Sequence, residues 1–168
     1  MARLTPPHPL ISDHLRGGFD CGRPSLNQWF HKRSLTNQQA DISRTSVVCD
    51  AETGNIAGYV SLSAAQVQRA YLPKSQQRNR PDPLPAILLG QLAVDVRYQG
   101  HGLARSLMFY ALTTAVRLSE DMGCFCVLTH PLDEGVRGFY RHFGFEDLPF
   151  DPQRSMAVRM VDLKRNGF

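Results

Sequence analysis

The most constraining feature of the sequence is a stretch that runs from an apolar segment through two glycines into an amphipathic pattern. It reads VDVRYQGHGLARSLMFYAL over residues 94–112. A strand, a glycine-rich turn and a helix in this order bring the unpaired N–H groups of a helix N-terminus to the turn. Gly100 and Gly102 would let an anion approach those groups without a Cβ in the way. The stretch therefore predicts a phosphate-binding turn within an α/β fold.

Three phosphate-binding motifs compete for this turn. The P-loop needs a Gly-Lys-Ser/Thr ending, which GHGLARS lacks. The dinucleotide fingerprint needs a third glycine where Arg105 stands, and an acidic residue after a second strand, where this sequence predicts helix. The third motif is the coenzyme A turn of the GCN5-related N-acetyltransferases, Arg/Gln-x-x-Gly-x-Gly/Ala, which residues 97–102 match. A turn with a purely structural role is the alternative.

The first half of the chain predicts one helix followed by antiparallel strands. RPSLNQWFHKRSLTNQQ has an apolar face at helical spacing, and Ser25 and Gln28 have the spacing of a capping box. RTSVVCD and IAGYVSLSAA alternate like strands, and AETGN between them predicts a hairpin turn. We expect AQVQRAYLP to continue as a third strand, before a polar, proline-rich loop.

The second half alternates strands and helices. AILLGQLAV predicts a strand buried on both faces, and the helix after the glycine turn is expected to reach about Met122. GCFCVLTH predicts a strand, DEGVRGFYRHF a shorter helix and SMAVRMVDL a last strand. An apolar stripe on the long helix comprises Leu103, Leu107, Ala111, Leu112, Ala115 and Val116. The whole pattern predicts a single mixed α/β domain over residues 1–168.

Composition places the chain among ordinary globular proteins. Its 168 residues are 42% hydrophobic and 20% charged. No apolar run reaches the roughly 20 residues of a membrane helix, and MARLTPPHPL lacks the apolar part of a secretion signal. We therefore expect a cytoplasmic protein that does not bind membranes. The cysteines show no zinc-ligand spacing, so reduced thiols and no metal are expected. They are Cys21, Cys49, Cys124 and Cys126.

The positive charge is concentrated in one segment. The net charge is +4, and the residues from Gln66 to Pro81 include four basic side chains and no acidic one. They are Arg69, Lys74, Arg78 and Arg80. Such a segment is suited to the phosphates of a nucleic acid, although a solvated loop would look the same.

Several pieces together resemble the GCN5-related N-acetyltransferase (GNAT) family, and within it the toxins of type II toxin–antitoxin pairs that acetylate charged tRNA. Four segments carry the resemblance, in the family's order: FDCGRPSLNQWF, GYVSLSAAQVQRAYLP, LLGQLAVDVRYQGHGLARSL and RGFYRHFGF. The resemblance implies a GNAT domain with a mixed sheet of about six or seven strands flanked by helices. It also implies acetyl-CoA in a cleft beside the central strand.

The resemblance implies roles for individual residues. Tyr140 matches the family's catalytic tyrosine, a general acid for the leaving thiolate. A backbone N–H near Val94 would stabilise the oxyanion. The positions implied to bind acetyl-CoA are Leu92, Ala93, Val94, Arg97, Gln99, Gly100, His101, Gly102, Leu103, Ala104, Arg105 and Phe139. The basic residues expected to contact tRNA are Lys74, Arg78, Arg80 and Arg33.

No general base is evident from the sequence. His130, Glu134 and His142 lie near the reactive segment, but solvated side chains explain each equally well. An aminoacyl ester needs less help from a base, because even a peptide α-amine has a pKa of only about 7.7–8.0. A lysine amine, with a pKa of about 10.4, would need more help. This comparison favours charged tRNA as the acceptor.

The resemblance further implies a ribbon-helix-helix antitoxin, which covers the basic site and binds DNA together with the toxin, and a homodimer. Three alternatives stay open. The acceptor could be a small-molecule amine, although a cationic substrate would favour an acidic pocket and the loop is basic. It could be a protein amine. The chain could also be a non-catalytic nucleic-acid binder, against which the glycine turn and Tyr140 argue.

Overall fold

The structure of residues 2–168, a computed structural model, contains seven strands and five α-helices. The strands are β1 His8–Pro9, β2 Arg44–Cys49, β3 Ile56–Val67, β4 Leu84–Val94, β5 Cys126–Thr129, β6 Glu146–Asp147 and β7 Met156–Arg159. The helices are α1 Pro24–Lys32, α2 Ser34–Gln39, α3 Leu103–Asp121, α4 Arg137–His142 and α5 Met160–Arg165. Short 3-10 turns lie at Arg69–Tyr71, Lys74–Gln76, Val96–Tyr98 and Glu134–Val136.

The strands form one mixed sheet in the order β1-β2-β3-β4-β5-β7-β6. β2 pairs antiparallel with β1 and β3, and β7 pairs antiparallel with β5 and β6. The β4–β5 pair is parallel, with register from Ala86↔Cys126 to Leu89↔Thr129. β4 continues beyond this register to Val94. The sheet confirms the predicted α/β class.

The chain divides into two compact units. One comprises the residues up to Ser63 and Gly90–Ala111, and the other comprises Ala64–Leu89 and Leu112–Phe168. β3 and β4 each contribute residues to both units. The single domain over residues 1–168 stays a prediction. No helix in the described part of the chain is long and apolar enough to cross a membrane.

The first unit has an aromatic core between α1 and β3. The rings of Phe30 and Tyr59 stack with centroids 4.2 Å apart, and Phe19 meets both rings edge-on. The buried Tyr59 hydroxyl donates to the carbonyl of Leu26 at 2.9 Å. This packing confirms the apolar face predicted for the first helix. The stripe predicted on α3 is also confirmed, because all six of its residues are buried.

The predicted start of the first helix is wrong. Arg23 occupies the N-cap position and Pro24 the first helical position, so Ser25 already lies inside α1 and cannot form a capping box. The Asn27 side chain instead accepts a hydrogen bond from the backbone N–H of Cys21 at 2.8 Å. The predicted continuous helix also breaks at Arg33, which separates α1 from α2.

Two predicted strands need correction. AQVQRAYLP is not a third strand, because β3 runs on to Val67 and a 3-10 turn follows. SMAVRMVDL is only partly a strand, because α5 begins at Met160. Met160 and Leu163 are both buried and are three residues apart, as on one face of a helix. In so short an apolar run, periodicity alone does not distinguish a helix from a strand. The two-residue strands β1 and β6 were not predicted, since two residues carry no periodicity.

Candidate active site

The glycine turn has the backbone that an anion-binding turn requires. Gly100 and Gly102 both have φ of +83°, in the left-handed region that favours glycine. A Cβ built on either residue would meet no atom within 4 Å, so the space in front of the turn is open. α3 begins directly afterwards at Leu103, and its first N–H groups lack helical partners. The predicted strand–turn–helix arrangement is confirmed.

A buried aspartate that sequence reasoning missed holds this turn. Asp95 is 0% exposed and accepts hydrogen bonds from the backbone N–H groups of Arg97 and Asp20 at 2.9 and 3.0 Å. The Arg97 guanidinium adds two further bonds, at 2.9 and 3.0 Å. Burial alone would raise the pKa of Asp95, but these hydrogen bonds outweigh it and lower the pKa. Arg97 is therefore anchored by Asp95, and its contact with phosphate stays a prediction.

Replacing Asp95 with asparagine is expected to destabilise the protein by about 2–3 kcal/mol at pH 7, because charge-assisted hydrogen bonds are lost. The lowered pKa means that the carboxylate stabilises the fold above its unfolded pKa of about 3.9 and loses this effect as pH falls through the folded pKa. Urea unfolding should therefore show a difference from wild type that shrinks below about pH 4. Asp41→Asn, which breaks an exposed ion pair with Arg44, is the control and should cost under about 1 kcal/mol.

The other predicted turn residues differ in their surroundings. The Gln99 amide donates to the carbonyls of Val94 and Cys21 at 2.9 and 3.1 Å, which ties the turn to the end of β4. His101 and Arg105 are exposed, and Leu103 is buried. On β4, Ala93 and Val94 are buried and Leu92 is partly exposed, as is Ala104 on α3. Their contacts with acetyl-CoA stay predictions.

Tyr140 lies on α4 in an aromatic cluster of the second unit. Its ring meets those of Phe139 and Phe145 edge-on, with centroids 5.6 and 5.5 Å apart. Burial raises the pKa of the phenol, and a hydrogen bond with the Thr129 side chain offsets part of this effect. The Thr129 hydroxyl in turn donates to the carbonyl of Leu89 at 3.0 Å. The phenol is thus kept protonated at neutral pH, as a general acid must be.

A cavity of about 350 Å³ lies in the second unit and is lined by residues of β3, β4 and β5 and by the loop that precedes β7. Its lining residues are Ala65, Gln66, Val67, Gln68, Tyr71, Leu88, Leu128, His130, Asp151, Pro152, Gln153 and Ser155. Of the three candidate bases named from the sequence, only His130 lines this cavity. Glu134 is paired instead with Arg154 and with Arg137, the latter at 3.5 Å. Sequence reasoning missed Asp151 and Ser155, which lie far from His130 along the chain.

The basic segment contains two 3-10 turns, and two of its residues predicted to contact tRNA are exposed. Lys74 and Arg78 are exposed, and the Lys74 ammonium lies 5.8 Å from the ring centroid of Phe150. Arg80 is partly buried, with its guanidinium 5.0 Å from the ring centroid of Phe125. In the first unit, Arg33 is exposed at the C-terminus of α1. The tRNA contacts of all four residues stay predictions.

Three potential metal ligands lie together in the first unit, although their spacing in sequence gave no sign of it. The ligand atoms of His8, His14 and Cys49 lie within 4.8 Å of one another. His14 Nδ1 accepts the N–H of Ile11 at 3.0 Å, which leaves the proton of a neutral ring on Nε2. That proton can be donated to His8 Nε2 at 3.2 Å, while His8 Nδ1 donates to the carbonyl of Pro6 at 2.9 Å. Hydrogen bonds alone therefore account for the cluster, and the absence of a metal stays a prediction.

Comparison with known proteins agrees with this geometry. Residues 43–147 match the acetyltransferase (GNAT) domain family. The chain is 39% identical over 140 residues to the tRNA-acetylating toxin of Mycobacterium tuberculosis (strain ATCC 25618 / H37Rv). The aligned region covers 83% of each protein. The protein therefore belongs to the GNAT family of acetyltransferases, as the sequence predicted.

Two solved structures have the same fold. One is AtaT complexed with acetyl-methionyl-tRNAfMet, with a TM-score of 0.89 and 26% identity over 99% of this chain and 100% of that chain. The other is AtaTR bound with AcCoA, with a TM-score of 0.85 and 26% identity over 98% of each chain. These likenesses extend over nearly the whole chain.

Proposed function

We propose that the protein is a toxin that transfers an acetyl group from acetyl-CoA to the α-amino group of aminoacyl-tRNA and thereby blocks translation. The observation that carries this proposal is the 39% identity to a tRNA-acetylating toxin across 83% of both proteins. The acetyl donor follows from the open glycine turn and from the GNAT family itself. The likeness to AtaT, solved with an acetylated aminoacyl-tRNA, supports the same acceptor.

The turn and the end of β4 would bind the acetyl donor. The pyrophosphate would accept hydrogen bonds from the N–H groups of residues 99–104, which form the turn and the start of α3. The pantetheine arm would pair with Gly90–Val94, the part of β4 that continues past its register with β5. The N–H near Val94 would stabilise the oxyanion that forms at the thioester carbonyl. Phe139 would contribute an apolar contact.

The chemical step is an acyl transfer. The amine nitrogen attacks the thioester carbon and loses one proton, which reaches solvent, and the carbon–sulfur bond breaks. Tyr140 donates its proton to the leaving thiolate and then regains one from solvent. Burial favours the neutral phenol, so Tyr140 holds this proton throughout the neutral pH range. The products are coenzyme A and an N-acetylated aminoacyl-tRNA, whose blocked α-amine can no longer form a peptide bond.

The basic side chains would bind tRNA phosphates. If Lys74 and Arg78 each neutralise one phosphate, replacing both with glutamine should reduce the slope of log affinity against log salt by about 2. Arg165→Gln is the control, since Arg165 is also positively charged and 76% exposed but lies at the end of α5. Binding to charged tRNA, measured between low and physiological salt, checks this prediction. An unchanged slope in the double variant would remove both residues from the tRNA site.

The same proposal includes the partners and the compartment. We propose a ribbon-helix-helix antitoxin whose tail covers the basic loop and the acetyl-CoA site, with the complex binding DNA. We also propose that the toxin acts as a homodimer, in the cytoplasm, where charged tRNA is used. An acetyltransferase for a small-molecule or protein amine is the alternative.

An acetylation assay tests the proposed function. Wild-type protein and labelled acetyl-CoA are mixed with charged tRNA, deacylated tRNA, polyamines or a lysine-rich protein in parallel. Label should enter charged tRNA only. Label on a polyamine or on protein, with none on charged tRNA, would contradict the tRNA proposal and favour the alternative.

A further inference from the structure

The cavity in the second unit presents one imidazole beside an apolar wall. Leu88 and Leu128 are register partners in the parallel β4–β5 pair, so their side chains lie on the same face of the sheet. His130 follows Leu128 by two residues and lines the same cavity. The His130 side chain is also exposed to solvent. The cavity thus has room for an amine with an apolar side chain. It also contains, in His130, a group that can exchange protons with water.

A chain of hydrogen bonds connects this imidazole to a buried serine and an aspartate. His130 Nδ1 lies 2.7 Å from the hydroxyl oxygen of Ser155, which is 1% exposed. Asp151 accepts the backbone N–H of Ser155 at 3.2 Å and is also hydrogen-bonded to its side chain. Burial alone would raise the pKa of Asp151, but the bonds from Ser155 and Gln153 outweigh it and lower the pKa. The carboxylate is therefore ionised and can only accept hydrogen bonds.

This chain fixes which imidazole nitrogen carries the proton. A serine hydroxyl has a single proton to donate, and the ionised Asp151 is the stronger acceptor. The Ser155 oxygen is then left to accept a hydrogen bond from His130 Nδ1–H. In a neutral imidazole the other nitrogen, Nε2, has a free lone pair. Asp151 and Ser155 thereby hold His130 in the tautomer that a general base requires.

We propose that His130 accepts the proton of the attacking amine through Nε2 and that Ser155 and Asp151 are positioning residues for it. This inference rests on the proposed function for the identity of the amine. As the nitrogen–carbon bond forms, one amine proton passes to His130 Nε2, the carbon–sulfur bond breaks, and Tyr140 supplies a proton to sulfur. His130 then releases its proton to solvent at its exposed edge, and the Tyr140 phenol takes up a proton from solvent.

Single-turnover acetylation by His130→Ala tests the proposal, with the amine that wild-type protein labels as the acceptor. At pH 7 the rate should fall by about 100-fold, the lower end of what general-base catalysis contributes. Added imidazole should raise the rate of the variant by at least about tenfold, because it supplies the missing base. Acetyl-CoA affinity and melting temperature should match wild type. Ser155→Ala should slow the step by about tenfold, since the tautomer is no longer fixed.

His142→Ala is the matched control, because this histidine is exposed on α4 and does not line the cavity. It should retain the wild-type rate. A His130→Ala rate within twofold of wild type would overturn the inference, and so would a loss that imidazole does not rescue. The acceptor is defined as the amine that wild-type protein labels. If the tRNA proposal is wrong, wild-type protein labels another amine. If the His130 proposal is wrong, His130→Ala labels that same amine at nearly the wild-type rate, so the two failures are distinguishable.

Discussion

Tyr140→Phe is expected to lower the rate of acetyl transfer by about 10²–10⁴-fold while leaving the fold and acetyl-CoA binding intact. The change removes only the hydroxyl, so the edge-on contacts of the ring with Phe139 and Phe145 remain. What disappears is the proton for the leaving thiolate. Single-turnover acetylation and acetyl-CoA titration of the same preparation would separate the two effects.

Tyr110→Phe is the control for this experiment. Tyr110 is a partly buried tyrosine on α3 whose hydroxyl lies 3.0 Å from that of Ser46, so its replacement also removes one hydrogen bond. It should acetylate at the wild-type rate. A Tyr140→Phe rate within threefold of wild type would refute the acid role. An equal loss in both variants would show that the effect of the hydroxyl at position 140 is structural.

The features that could be predicted from the sequence are those specified by neighbouring residues. The stripe of α3 follows from helical spacing, and the glycine turn follows from Gly100 and Gly102 between a strand and a helix. The hairpin of β2 and β3 follows from alternation on either side of Gly54 and Asn55. In each case local periodicity or backbone freedom decides the structure, and no distant contact is needed.

The features that could not be predicted depend on residues far apart in the chain. In the sequence Asp95 resembles any acidic loop residue. Its role follows from the hydrogen bond that the backbone N–H of the distant Asp20 donates to it. His130 could not be distinguished from a solvated histidine, because its partner Ser155 lies on the other side of α4 in sequence. Periodicity carries no information about such pairs. The acetyl-CoA turn could therefore be predicted, whereas the groups that hold it and the candidate base could not.

Gly100→Ala is expected to weaken acetyl-CoA binding by at least about tenfold, for two reasons that add. An alanine held at a φ of +83° is strained by about 1–2 kcal/mol, so the turn would relax away from its anion-binding shape. The added methyl group would also project into the open space in front of the turn, where the pyrophosphate must approach the N–H groups. Calorimetric titration of acetyl-CoA into the variant measures the effect.

Gly54→Ala separates these two reasons. Gly54 has a φ of +77° and open space around its Cβ position, so its replacement introduces similar backbone strain in a turn that is not part of the proposed donor site. Both variants should lose about 1–2 kcal/mol of stability in urea unfolding, but only Gly100→Ala should lose affinity for acetyl-CoA. Equal affinity in the two variants would mean that residues 97–102 do not hold the pyrophosphate. Since every step proposed for Tyr140 and His130 requires a donor bound at this turn, that result would also remove the basis for the reaction.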